Sequence, residues 1–258
     1  MSVQSSSRDY LFLDKISVRF PGVLALDTVS LGVRPGEVHG LIGPNGSGKT
    51  TLLNLLSGYY TIDEGSILLQ NRDITRASVQ SRARNGVART FQTPKLLPAM
   101  TVLDNAMLGG WPDVRAGFIG TALSGPRSRR EEAAIRLRAT DMLHGVGLGS
   151  VLNRRADLLE HTAQRFLEIA RALTMRPTFV LLDEPAGGLT VAEIEKLGAI
   201  IGVMRETGIG VLLVEHHTDF VFRVSDRVTT LNLGRTIAHG TPQSVRNDPE
   251  VIRVYLGA

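Results

Sequence analysis

The chain has 258 residues, 43% hydrophobic and 21% charged, a globular balance that supports one large domain or a core with a subdomain. The absence of cysteine excludes a disulfide framework and suits a reducing cytoplasm. A net charge of +4 fits an anionic membrane surface, nucleic acid or plain solubility, and selects none of them.

The start, Met1-Ser2-Val3-Gln4-Ser5-Ser6-Ser7, is polar and lacks the apolar region of a signal peptide, so residues 1–9 are expected to form a flexible tail. No apolar run approaches the roughly 18–20 residues of a membrane span, and the chain is expected not to cross a membrane by itself. Leu11–Phe20, Leu24–Val33 and Glu37–Ile42 have strand character and are broken at Pro21-Gly22 and Pro35-Gly36. A glycine-rich turn follows, and Thr51–Leu56 reads as a helix. Ser66–Gln70 and Val87–Gln92 read as further strands.

From Thr93 to Gln164 the pattern becomes helical, with Ile135, Ala139, Met142 and Val146 at helical spacing. Within it, Gly109–Arg130 is rich in Gly and Pro, carries a basic run, and reads as a loop. After Arg165 an α/β pattern resumes. Phe166, Ile169, Ala170 and Leu173 mark a helix, and Phe179–Leu182 is a continuous apolar run, as in a buried parallel strand. Ile194, Leu197, Ile201 and Met204 mark another helix, followed by the strand Val211–Val214. Smaller strands near Arg227–Leu231 and Arg235–Ala238 precede a helical tail. The chain therefore reads as one domain, 10–258, with an α/β core (10–92 and 165–258) interrupted by a helical insertion (93–164).

The chemistry starts at Gly43-Pro44-Asn45-Gly46-Ser47-Gly48-Lys49-Thr50, which fits the phosphate-loop pattern G-x-x-x-x-G-K-[ST] between a strand and a helix. Its glycines allow sharp turns that bring backbone N–H groups against phosphate oxygens, and the helix N-terminus adds partial positive charge. Lys49 reaches the β- and γ-phosphates, and the Thr50 hydroxyl can ligate Mg²⁺. The expected ligand is a nucleoside triphosphate, contacted from Gly43 through Thr51.

Asp183 and Glu184 end a buried strand. Phosphate-loop enzymes hold Mg²⁺ with an acid at that place, and the next acid can position or deprotonate the attacking water. Gln92, at the start of the insertion, can meet the metal or the water, and His216, after Val211–Val214, can contact the γ-phosphate. Phe20, just before Pro21-Gly22, can stack on adenine or serve as an edge-strand core residue. Pro94 and Pro98 break the helical pattern, so Gln92–Met100 is expected to be mobile, with Leu96 and Leu97 exposed to a partner.

Together these residues resemble the nucleotide-binding subunits of ABC transporters. Phosphate loop, Gln92, Leu181–Glu184 and His216 follow the order Walker A, Q-loop, Walker B with catalytic glutamate, and switch histidine. The stretches Gly43–Leu52, Arg89–Gln92, Leu167–Leu173, Val214–His217, Gly240–Pro242 and Asn247–Pro249 are similar to the branched-chain amino acid importer ATPases. The resemblance runs from about residue 10 to the end. It implies a RecA-like P-loop core with an N-terminal antiparallel β subdomain and an inserted α-helical subdomain. It also implies an ATPase that uses ATP and Mg²⁺, with Lys49, Gln92, Glu184 and His216 catalytic and Thr50, Gln92 and Asp183 at the metal.

The implied partners are membrane permeases, a second ATPase subunit and, indirectly, a solute-binding protein, on the cytoplasmic face of a membrane and without nucleic acid. Two alternatives share the motifs: a lipopolysaccharide-type export ATPase, and a non-transport ABC ATPase acting as a nucleotide switch. Two features depart from the family pattern. Leu159-Glu160-His161-Thr162-Ala163 stands where the signature Leu-Ser-Gly-Gly-Gln belongs, and Thr190 stands where an Asp is usual. Because a homodimer would carry the altered signature at both of its sites, the resemblance favours pairing with a different ATPase.

Overall fold

The structure is a computed structural model that describes residues 10–113 and 126–256. The expected tail 1–9 lies outside the described residues, as do residues 114–125 of the expected loop.

The first sheet is antiparallel, in the order β2-β1-β4-β5. It comprises β1 (Leu11–Phe20), β2 (Val23–Val33), β4 (Glu64–Leu69) and the short β5 (Arg72–Asp73). The second has six strands, ordered β10-β9-β3-β8-β7-β6. Here β3 (Val38–Ile42), β6 (Val87–Arg89), β7 (Phe179–Asp183), β8 (Gly210–Val214) and β9 (Arg227–Asn232) are parallel, and β10 (Arg235–Gly240) runs antiparallel to β9.

The strands β3, β7 and β8 are buried on both faces, which is why they read as unbroken apolar runs. Alternate residues still go to different cores. Leu41, Leu181, Leu212 and Val214 pack with the antiparallel sheet and the helix α1 (Lys49–Ser57). Ile42, Val180, Leu182, Val211 and Leu213 pack with helices on the opposite face. In α1, Leu52, Leu53, Leu55 and Leu56 are all fully buried. At about 1.5–3 kcal/mol per buried leucine, this anchoring holds the first turn of α1 in place.

The remaining helices are α2 (Val79–Arg84), α3 (Val102–Met107), α4 (Pro126–Gly145), α5 (His161–Thr174), α6 (Val191–Glu206), α7 (Thr218–Val224), α8 (Pro242–Arg246) and α9 (Pro249–Leu256). Helices α3, α4 and α5 pack on one another, with Val102, Ala139, Leu143, Phe166 and Ile169 buried among them.

Several boundaries differ from the sequence reading. Strand β6 stops at Arg89; Thr90 still donates to the Leu181 carbonyl of β7 at 3.0 Å, and Phe91–Gln92 leave the sheet. Strand β4 begins at Glu64 and ends at Leu69; Gln70 has φ +48° and belongs to the turn. Glu37 precedes β3 rather than opening it. The Gly109–Arg130 segment is not all loop: Leu108–Asp113 forms a 3-10 turn, and α4 already includes Pro126–Arg130. Helices α2 and α7 were not legible, because short helices carry little periodicity.

The Arg82 side chain is buried and donates to the carbonyls of Leu55, Leu56, Ile74, Thr75 and Ala77. It thereby caps the C-terminal end of α1, where carbonyls lack intrahelical donors. Burial pulls its pKa down to about 10.

A second polar chain, buried at His39 and Thr229, joins the two sheets. Arg227 donates to His239 Nε2, and His239 Nδ1 lies 2.8 Å from Thr229 Oγ1. Thr229 Oγ1 is 2.8 Å from His39 Nε2, and His39 Nδ1 is 3.0 Å from the Gly32 carbonyl. One assignment satisfies every link: both histidines neutral and protonated on Nδ1, with the Thr229 hydroxyl donating to His39.

Candidate functional site

The phosphate loop runs from β3 into α1. Gly43, Gly46 and Gly48 have φ of +152°, +78° and +105°. A Cβ at Gly43 would collide with the Leu231 carbonyl, and one at Gly48 would lie 2.8 Å from the Ala25 carbonyl. Glycine is therefore required for packing as well as for φ. The tip of the β9–β10 turn braces the loop, because the Gly234 N–H donates to the Ser47 carbonyl at 3.1 Å.

The N–H of Leu52 bonds the Gly48 carbonyl at 2.9 Å. The N–H groups of Lys49, Thr50 and Thr51, which precede it in the first turn, have no intrahelical acceptor and suit an anion. The buried Ser47 Oγ has no hydrogen-bond partner, which also fits a cradle for phosphate oxygens. Lys49 is buried and donates to the carbonyls of Gly43 (2.7 Å) and Pro44 (3.0 Å). Burial lowers its pKa, against the pull of Glu184 and Asp183.

Asp183 ends β7 and is buried. Its Oδ2 accepts from Arg89 Nη2 at 2.9 Å, and Arg89 Nη1 donates to Asn54 (2.6 Å) and Ser57 (3.1 Å) on α1. Burial raises the Asp183 pKa, and Arg89 opposes the shift. Arg89 thus leaves Asp183 Oδ1 unclaimed and ties Asp183 to the helix that carries Thr50, an exposed residue. These two oxygens are donors of the kind a hard cation takes. Among the described residues no cluster of three His, Asp or Glu could hold a metal alone. Phosphate-loop sites do not need one, because phosphates and water complete the shell.

Glu184 follows with φ +48°, a left-handed conformation uncommon outside glycine. Its Oε2 accepts from Gln92 Nε2 at 2.6 Å, and its Oε1 lies 2.5 Å from His216 Nε2. Its backbone is held on both sides: its N–H donates to Val214 at 2.8 Å, and its carbonyl accepts from Arg165 Nη1 at 2.9 Å. The structure thus brings Gln92, Glu184 and His216 together. Phe20 lies edge-to-face with Tyr60 at 5.3 Å between ring centroids and is exposed.

Three supporting residues were missed as site residues. Besides Arg89, Glu215 is almost fully buried, and accepts from Ala186 N–H (2.5 Å) and His216 N–H (3.0 Å). Glu168 on α5 accepts from Phe91 N–H (3.1 Å) and Lys95 N–H (3.0 Å). Burial raises the pKa of both carboxyls against these donors. An acidic residue between apolar neighbours inside a helical stretch, as in Leu167-Glu168-Ile169, was the available signal.

The Gln92–Met100 segment is pinned rather than loose. Besides Lys95, the Leu97 N–H bonds Asn105 Oδ1 at 2.8 Å, and the Met100 carbonyl accepts from Ala156 N–H at 2.9 Å. Leu97 is exposed as expected, whereas Leu96 is partly buried against the core. Thr190 is the N-cap of α6 in a full capping box with Glu193, a position that Asp fills equally well. Glu160 is the N-cap residue of α5, but its side chain makes no capping bond.

Comparison with known proteins gives the family. The family model described as ABC transporter matches residues 26–187, and one described as branched-chain amino acid ATP-binding cassette transporter matches residues 235–258. The high-affinity branched-chain amino acid transport ATP-binding protein LivG of Salmonella typhimurium is 40% identical, over 97% of this chain and 99% of that protein. BraF of Pseudomonas aeruginosa, of the same description, is 38% identical over the same shares. Among solved structures, the ADP conformation of MJ1267, an ATP-binding cassette of an ABC transporter, superposes with a TM-score of 0.83 at 31% identity, covering 97% of this chain and 99% of that one. With the phosphate loop, the strand-end acids and coverage of nearly the whole chain in agreement, this chain belongs to the ABC transporter family and is one of its ATP-binding, ATP-hydrolysing subunits.

Proposed function

We propose that this subunit powers import of branched-chain or related amino acids. In this reading it sits on the cytoplasmic face of a membrane, bound to permease subunits that receive solute from a binding protein, with no role for nucleic acid. The branched-chain amino acid transport in which LivG and BraF act supports the solute class. No helix among the described residues is long and apolar enough to cross a membrane. A transport path would therefore come from other subunits, which Leu97 and its pinned segment could meet.

The observation that carries the hydrolytic reading is the convergence of Gln92 and His216 on Glu184. Glu184 orients and deprotonates the attacking water, while Gln92 and His216 fix its carboxylate and follow the γ-phosphate. Lys49 and the first-turn N–H groups of α1 hold the β- and γ-phosphates, with Gly43, Pro44, Asn45, Gly46, Ser47, Gly48, Thr50 and Thr51 lining the nucleotide and Phe20 against adenine. Thr50, Asp183 Oδ1 and Gln92 would hold Mg²⁺, which neutralises phosphate charge when bound.

A second ATPase subunit completes the assembly. Glu160 would face the nucleotide of that partner, and a carboxylate about 5 Å from a phosphate charge costs roughly 3 kcal/mol at an effective dielectric near 20. A heterodimer confines that cost to one site, whereas a homodimer repeats it.

Isothermal titration with Mg-ATP tests the role assignment. Lys49→Ala is expected to abolish tight binding, and Glu184→Gln to keep binding and lose hydrolysis. Equal loss of binding in both variants would refute it.

A further inference from the structure

Helix α5 reaches the hydrolytic group from behind through charged side chains on successive turns. Arg165 holds the Glu184 carbonyl at 2.9 Å. One turn on, the Glu168 carboxylate takes the N–H groups of Phe91 and Lys95, which bracket Gln92. One turn further, Arg171 donates to Glu168 Oε1 at 3.1 Å and to the Lys95 carbonyl at 2.5 Å. Lys95 is thus gripped by both its N–H and its C=O. Glu168 is 2% exposed, so its carboxylate depends on these donors rather than on water.

A buried carboxylate in a helix is costly unless its oxygens are filled, and here the filling groups are backbone amides of one loop plus one guanidinium. The grip lies beside Gln92, the loop residue whose side chain donates to Glu184. We propose that Glu168 is a positioning residue for ATP hydrolysis: with Arg171 it clasps the 91–95 backbone and so sets the contact between Gln92 and Glu184. Because Arg165 on the same helix holds Glu184 itself, α5 fixes both ends of that contact. A shift of α5 would move Gln92 and the Glu184 backbone as a unit, and loss of Glu168 would uncouple them.

The proposal rests on Gln92 acting in hydrolysis, and the experiment separates the two. Turnover and Mg-ATP affinity are measured on the full chain in its transporter assembly for Gln92→Ala, Glu168→Gln and the double variant, with unfolding followed for each. Glu168→Gln replaces one acceptor oxygen by a donor that opposes an amide N–H. Its kcat is expected to fall about tenfold with KM and nucleotide affinity unchanged, and to fall no further in the Gln92→Ala background. Amide exchange at Phe91 and Lys95 should quicken in Glu168→Gln.

If Glu168→Gln folds poorly, Arg171→Lys, which weakens the hold on the Lys95 carbonyl and on Glu168 but leaves the Glu168 carboxylate in place, should show the same non-additivity with a smaller loss. Additive losses in the double variant, with Gln92→Ala itself impaired, would overturn the clasp and leave the site reading standing. Full turnover in Gln92→Ala would overturn both.

Discussion

His216 Nε2 lies 2.5 Å from Glu184 Oε1, although the two residues extend different strands. The neighbouring strands β7 and β8 are parallel and pair Asp183 with Val214, so the residues just beyond each strand end emerge side by side. Glu215, buried between them, fixes the turn by accepting from the N–H groups of Ala186 and His216. The positions of both side chains are therefore set by sheet register.

From that contact, His216→Ala is expected to reduce single-turnover hydrolysis by about ten- to a hundredfold, the worth of one hydrogen bond to a charged group. Mg-ATP affinity should stay within about threefold, since Lys49 and the loop are untouched. A parallel drop in affinity would mean that His216 holds the nucleotide and does not act by orienting the carboxylate.

The altered signature gives a prediction about assembly. The purified chain alone should hydrolyse ATP poorly, and a partner ATPase with an intact signature should restore turnover. The Thr162 side chain helps hold the Glu193 carboxyl below its usual range, after the stronger contribution of Thr190. The exchange Glu160→Ser with Thr162→Gly would remove an anion and a side chain while leaving the Thr190–Glu193 capping box in place. It should raise the activity of the chain alone by up to about a hundredfold, the two decades that ~3 kcal/mol represents. Equal activity with and without a partner, unchanged by the repair, would defeat the asymmetric model.

The buried chain through His39 makes stability depend on pH. Burial, with Arg227 and His239 nearby, pulls the His39 pKa down to about 3, so the folded state keeps it neutral. The unfolded state takes up the proton below about pH 6.5. Stability from this group is full above that pH and is lost as pH falls toward 3, amounting to about 2 kcal/mol at pH 5. The buried carboxyls of Glu37, Glu168 and Glu215 are shifted upward and act in the opposite sense. Comparison with His39→Gln isolates the histidine. Urea midpoints should fall more steeply from pH 7 to 5 in the natural chain than in the variant, which starts lower because a link of the buried chain is lost. Parallel slopes would show that His39 does not drive the acid loss.

The amino-acid sequence by itself determined the phosphate loop, because its chemistry lies in eight consecutive residues whose glycines dictate a local turn. It also determined the buried strands and the amphipathic helices α5 and α6, whose patterns repeat within one element. The strand-end acids followed from the same logic, since Asp183 and Glu184 end an unbroken apolar run. What only the tertiary structure decided was which side chains meet. Gln92 reaches Glu184 across 92 residues of chain. Arg89 claims one oxygen of Asp183, and Glu168 grips the loop beside Gln92. The premature end of β6 at Arg89 belongs here too, because pairing with β7 covers only Val87–Arg89, and a partner strand leaves no trace in the residues themselves. Such contacts depend on the crossovers that set β6, β7 and β8 side by side, and a one-dimensional pattern holds no record of strand order. Thr190 shows the converse: unusual when read as a motif letter, it is ordinary once its hydroxyl is seen to cap α6.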